Sequence, residues 1–145
     1  MIDHPKPSLT RYIAPAIITA FILIAIVIGL APRGPKGNFI QSSEFQLAMD
    51  RAPMGQSQPL PGRMTTIPIQ SFRDRRNRYC RVFSLTGAII GSGVVCRQNG
   101  EWQLEGRADA EDRERRLHAT MQRLGGAGSI DAATERRAIA DNWRT

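Results

Sequence analysis

The chain has 145 residues, a formal charge of +7, an isoelectric point near 10.7 and two cysteines. That length allows one small domain plus a membrane anchor and excludes an extensive core. Lys6 and Lys36 are the only lysines, so the positive charge is almost wholly arginine. Such a balance favours anionic partners, which for a tethered domain means lipid headgroups or an acidic protein face before nucleic acid.

Residues 1–11 read as a short cytoplasmic tail. From Tyr12 to Ala31 the run YIAPAIITAFILIAIVIGLA carries no charged side chain and is bracketed by Arg11 and Arg33. Roughly twenty apolar residues at about 1.5 Å each match the hydrocarbon thickness of a bilayer, which predicts one transmembrane helix over 12–31. Tyr12 stands where an interfacial aromatic belongs and Pro15 falls in the first turn, where a missing N–H costs little. Phe21 lies mid-span and Gly29 near the far end. A cleaved signal peptide would have a shorter apolar core and a small-x-small site, whereas Gly29-Leu30-Ala31 runs into Pro32. Charge does not decide orientation, because Lys6 and Arg11 are balanced by Arg33, Lys36 and Arg51.

Residues 32–64 read as a linker with one short helix. Pro32, Gly34, Pro35 and Gly37 break regular structure. Ser42 or Ser43 can cap a helix running to about Arg51, which Pro53 ends, and MGQSQPLPG from Met54 to Gly62 is a second loop. TTIPIQSF, Thr65 to Phe72, suits a strand that Pro68 places at an edge.

Arg78 to Gly106, RYCRVFSLTGAIIGSGVVCRQNGEWQLEG, is rich in β-branched and aromatic residues and suits an antiparallel meander. Asn99-Gly100 signals a tight hairpin turn, pairing Gln98 with Glu101, Arg97 with Trp102 and Val95 with Leu104. If Cys80 faces Cys96, the preceding hairpin turns near Ala88 and Phe83 meets Gly93. The two-residue period then puts Tyr79, Arg81, Phe83, Leu85, Val95, Arg97, Trp102 and Leu104 on one face, the expected core. Arg97 is expected between Tyr79 and Trp102. Cys80, Val82, Ser84, Val94, Cys96 and Gln103 take the other face. A Cys80–Cys96 disulfide would close a loop of about fifteen residues, worth roughly 3 kcal/mol, and would imply an oxidising compartment. The competing reading is two free buried thiols in a cytoplasmic domain. Zinc lacks ligands, since two cysteines without a nearby histidine do not supply four.

Ahead of this block lies RDRRNR, Arg73 to Arg78. Arg73, Arg75, Arg76 and Arg78 could grip phosphates or carboxylates, or could form a solvated turn between strands. With Tyr79, Arg97 and Trp102 they are the candidate binding residues.

After Glu105 the period becomes helical, with Leu117, Met121 and Leu124 on one stripe and Gly125-Gly126 as the stop. Ser129 can cap a second helix in which Ile139 and Trp143 share a face, giving a helical hairpin. The fold class expected is thus α+β: one N-terminal transmembrane helix, then, over residues 65–145, a disulfide-stapled β-meander and a helical hairpin. His118 is expected in solvent. His4 and His118, the only histidines, have no nucleophile and carboxylate beside them, and no phosphate-binding loop or metal cluster occurs, so no enzyme activity, metal or cofactor is expected.

FRDRRNRYCRVF followed by GSGVVCRQNGEWQLEG resembles the small extracytoplasmic cysteine-containing module of alphaproteobacterial membrane anti-sigma factors and of 17-kilodalton surface-antigen-type envelope proteins. Tyr79, Cys80, Arg81, Cys96, Arg97, Gly100 and Trp102 carry the match, and Glu135, Trp143 and Arg144 match the closing helix of those anti-sigma factors. The resemblance implies an envelope location, a disulfide and a sensing or binding role. No sigma-binding domain is expected in the short tail before the apolar run. The expected protein is a non-enzymatic, single-pass inner-membrane protein with a periplasmic protein-binding or sensory module. The alternative is an accessory subunit of a larger inner-membrane complex, docked through Ala14, Ala16, Ala20 and Gly29 of its span.

Overall fold

The computed structural model describes residues 39–126 and 128–145. The expected membrane span, with Tyr12, Pro15, Phe21 and Gly29, lies outside the described residues. Among those described, no helix is long and apolar enough to cross a membrane.

A single 3-10 turn, Phe39–Gln41, leads into helix α1, Ser43–Arg51, whose N-cap Ser42 accepts a hydrogen bond from the Phe45 N–H. Five strands follow: β1 Gln58–Leu60, β2 Met64–Arg73, β3 Tyr79–Gly87, β4 Gly91–Gln98 and β5 Glu101–Ala108. They form one antiparallel meander in chain order. Helices α2, Arg113–Leu124, and α3, Ala132–Ala140, complete the chain.

The register follows the sequence closely. Cys80 pairs with Cys96, Phe83 with Gly93, Val95 with Leu104, Arg97 with Trp102 and Gln98 with Glu101. Asn99 adopts φ 51° and Gly100 φ 82°, the left-handed pair that a two-residue hairpin turn requires. Pro68 has no N–H to give and sits beyond Thr66, where the β1 ladder stops.

Both faces of the sheet are buried. On one, Phe83, Leu85, Val95 and Trp102 pack with Phe45 and Met49 of α1 and with Ala138 and Trp143 at the α3 end. On the other, Phe72, Cys80, Val82, Val94 and Cys96 pack with Leu124, and Leu117 and Met121 of α2 lie over them. The two C-terminal helices therefore cover opposite faces instead of forming the expected hairpin. Each has only a thin apolar stripe, and a sheet face buries such a stripe better than another thin stripe does. The segment between them crosses the free edge of β2, where the Ile130 N–H donates to the Ser71 carbonyl at 2.8 Å.

Two bulges set which side chains reach which face. Ile69 is extra in β2, between the Pro68–Phe83 and Gln70–Val82 pairs, and Glu105 is extra in β5, between the Leu104–Val95 and Gly106–Val94 pairs. Each reverses the alternation beyond it. Ser71 and Phe72 are placed on their faces this way, and so is Gly106, where a Cβ would come within 2.6 Å of Thr120 on α2. The stretch expected as linker joins this fold from Phe39 onward: Ile40, Phe45 and Met49 are completely buried.

Candidate functional site

Strand β3 carries Arg81 on the face covered by α1 and α3, and its side chain is wholly buried. Its Nε donates to Ser71 Oγ at 3.1 Å, Nη1 to the Met49 carbonyl at 2.6 Å, and Nη2 to the Ala52 carbonyl at 2.7 Å and to Glu135 Oε1 at 2.9 Å. Glu135, on the first turn of α3, also accepts from Ser71 Oγ at 2.7 Å and from the Met54 N–H at 3.0 Å. The two carbonyls belong to the C-terminal end of α1, whose orphan acceptors and negative dipole end suit a guanidinium. Burial lowers the Arg81 pKa to about 10, and Glu135 offsets part of that fall. This network ties α1, β2, β3 and α3 together.

Asp50 is a second hub. Its Oδ1 accepts from Arg97 Nη1 and from Trp102 Nε1 at 2.8 Å, and its carbonyl accepts from Trp143 Nε1 at 2.8 Å. Trp143 stands edge-on to both Tyr79 and Trp102, with ring centroids 5.3 Å apart in each pair. Trp143, not Arg97, thus fills the space between Tyr79 and Trp102. Arg97 lies over Trp102 at 5.5 Å, drawn aside by Asp50. The Trp143 backbone is left-handed at φ 57°, which lets its N–H close on the Ala138 carbonyl at 2.7 Å as α3 ends.

The RDRRNR run forms the β2–β3 turn. Asp74 organises it, accepting at Oδ1 from the Arg76 and Arg78 N–H groups and at Oδ2 from the Arg78 guanidinium. Arg78 also reaches Glu105 at 3.0 Å, an ion pair made available by the β5 bulge, and its pKa is raised by Asp74 and Glu105 against the pull of desolvation. Arg73 stacks 3.9 Å over the Tyr79 ring and donates to its hydroxyl. Arg75 donates to the Arg123 carbonyl at 2.9 Å.

Three of the four candidate arginines in this turn therefore have partners within the fold, and Trp102 is completely buried. Exposed at this end are Arg75 and Arg76, and, beyond α3, Arg144. Two shallow concavities lie here. One of about 310 Å³ is bounded by Asp74, Arg75, Arg76, Glu105 and Arg123, the other of about 550 Å³ by Arg78, Arg97, Asn99, Asn142 and Arg144.

The Cys80–Cys96 disulfide joins directly opposed residues of β3 and β4, and neither sulfur reaches solvent. Asp74 lies near both sulfurs, but a disulfide offers no thiolate to a metal. His118 is exposed, and its Nε2 lies 2.9 Å from the Gln122 side-chain nitrogen on the same helix.

No protein family, curated protein or solved structure matches the chain. The two-residue period places Arg81 on the core face without giving it a role; Glu135 enters only through the resemblance, and Trp143 through the resemblance and as the helix-face neighbour of Ile139. The signal for Glu135 is its place three residues before Ala138, on the buried face of α3, where a carboxylate needs a partner such as a core arginine.

Proposed function

We propose that this chain is a non-enzymatic, membrane-anchored extracytoplasmic module that acts through protein contacts, in a sensory or binding role. The observation that carries the reading is the buried disulfide in the middle of the sheet, because such bonds persist in oxidising compartments and are rare in the cytosol. The uncharged run from Tyr12 to Ala31 supports an anchor, and the likeness to the envelope modules of membrane anti-sigma factors supports an inner-membrane protein with its folded part in the periplasm. The surface best suited to a partner is the arginine end of the sheet, where Arg75, Arg76 and Arg144 are exposed and favour an acidic protein face; anionic headgroups share that chemistry.

A second reading, an accessory subunit of an inner-membrane complex, is favoured by Ala14, Ala16, Ala20 and Gly29, small residues that allow close helix approach. One experiment separates the two. The C-terminus is tagged, membranes are solubilised in mild detergent without reductant, and copurifying proteins are identified by mass spectrometry. A stoichiometric inner-membrane complex establishes the accessory subunit and sinks the free-standing sensor. Recovery of the chain alone does the reverse.

A further inference from the structure

The β2–β3 turn docks on the C-terminal end of α2. The Arg75 N–H donates to the Leu124 carbonyl and the Arg75 guanidinium to the Arg123 carbonyl, both at 2.9 Å. Gly125 makes that approach possible, since a Cβ there would come within 2.8 Å of Arg75 Nε. Arg123 in turn donates to the Glu105 carbonyl at 2.7 Å, on the bulge of β5. Neutral backbone acceptors thus fix two guanidiniums, and each keeps most of its five N–H donors unspent. Arg76 joins them from the turn, where its backbone N–H is held by Asp74 and its side chain has no partner among the described residues.

These three arginines border the concavity of about 310 Å³, and among the described residues none of them pairs with a carboxylate. The two acids on its wall are committed elsewhere: Asp74 to Arg78 and the backbone of the turn, Glu105 to Arg78 as well. Asp74, Glu105 and Arg78 together leave one negative charge against three guanidiniums, so two positive charges remain over. The C-terminal dipole of α2 takes back only about half of one. A carboxylate carries a single charge. A phosphate monoester carries about 1.5 to 2 at neutral pH, offers three acceptor oxygens, and suits the planar fork of arginine.

We infer that this concavity is a site for a phosphate monoester group, held by Arg75, Arg76 and Arg123. The inference rests on the reading of the arginine end as the contact surface and narrows it to one anion and three side chains. A lipid headgroup and a free phosphate ester share this chemistry. Because backbone contacts set Arg75 and Arg123 before anything binds, little ordering is left to oppose binding.

The test uses the full chain in non-ionic detergent, treated with phenylglyoxal at constant ionic strength and read residue by residue by mass spectrometry. Inorganic phosphate and glycerol 3-phosphate should each slow modification of Arg75, Arg76 and Arg123 several-fold, and acetate far less. Arg115 and Arg116, exposed on the same helix, should react at an unchanged rate. Arg76→Gln should weaken phosphate protection of Arg75 and Arg123 about tenfold, whereas Arg115→Gln, which removes the same charge elsewhere, should not change it. The source is read from the chain reconstituted in phosphatidylcholine vesicles with and without phosphatidic acid. Protection there but with neither soluble anion assigns a headgroup, and protection by the soluble anions assigns a free phosphate ester. No protection by any of the three probes, or equal protection of Arg115 and Arg116, overturns the inference. If a copurifying partner is then still lost on Arg76→Gln, the contact surface stands without the phosphate site; a partner indifferent to that substitution sinks both.

Discussion

Arg81 and Glu135 meet at 2.9 Å inside the core, though 54 positions separate them in sequence. Removing one member of a buried pair strands the other charge. We expect Glu135→Ala to lower stability by about 3–5 kcal/mol, while the double substitution Arg81→Met, Glu135→Leu, which removes both charges, should cost far less. Urea unfolding of the two variants checks this. Equal losses would show that packing, not the stranded charge, sets the cost.

Asp131 caps α3, accepting from the Thr134 N–H at 2.7 Å and the Thr134 hydroxyl at 3.0 Å, and these bonds hold its pKa below the usual carboxylate value. The unfolded chain then takes up the proton first. The stabilisation is complete above the ordinary aspartate pKa of about 3.9 and drains away as pH falls through the lower folded value. Asp131→Asn keeps a capping oxygen but does not titrate. Its thermal midpoint should fall less steeply than the wild type's below about pH 4.

Gln46 treats β5 as a neighbouring strand would. Its amide nitrogen donates to the Trp102 carbonyl at 2.8 Å and its oxygen accepts from the Trp102 N–H at 2.7 Å. Gln46→Leu should leave that edge unpaired at a cost of about 1–3 kcal/mol. Hydrogen exchange at the Trp102 amide should accelerate in the variant, and unchanged protection there would refute the pairing.

The disulfide has both sulfurs out of solvent, so native protein should resist alkylation after brief treatment with mild reductant. Cys80→Ser with Cys96→Ser should lower stability by about 2–5 kcal/mol. Mass spectrometry of alkylated protein and denaturant titration supply the two readouts.

How far the sequence reaches is clear from single elements. The Cys80–Cys96 and Arg97–Trp102 registers follow from a two-residue period anchored at Asn99-Gly100, because a hairpin turn fixes the pairing on both sides. The helix cap is legible as one of two serines, of which Ser42 takes the role, and the Gly125 stop is legible outright. The bulges at Ile69 and Glu105 are not, since they answer to packing across the sheet, and Phe72 changes face because of one. Burial of both faces is not legible in the strands alone, because the cysteine face, with Val82 and Val94, reads as mildly apolar until α2 is laid over it. At the candidate site, the sequence sets the arginines together in one turn but does not show that Asp74, Tyr79 and Glu105 hold Arg78 and Arg73. Arg78 and Glu105 are far apart in sequence and meet at the β5 bulge, while the Asp74–Arg78 and Arg73–Tyr79 contacts, though local, depend on how the turn folds.

Trp143 reaches back 93 positions to Asp50, and Glu135 lies 54 positions after the arginine it neutralises. A chain broken off before α3 would therefore carry a bare guanidinium in an unfinished core, at a cost comparable to the whole stability of a small domain. The fold thus inspects its own completeness. A truncated copy would stay loose and open to proteases, and only a chain finished through its last helix would settle.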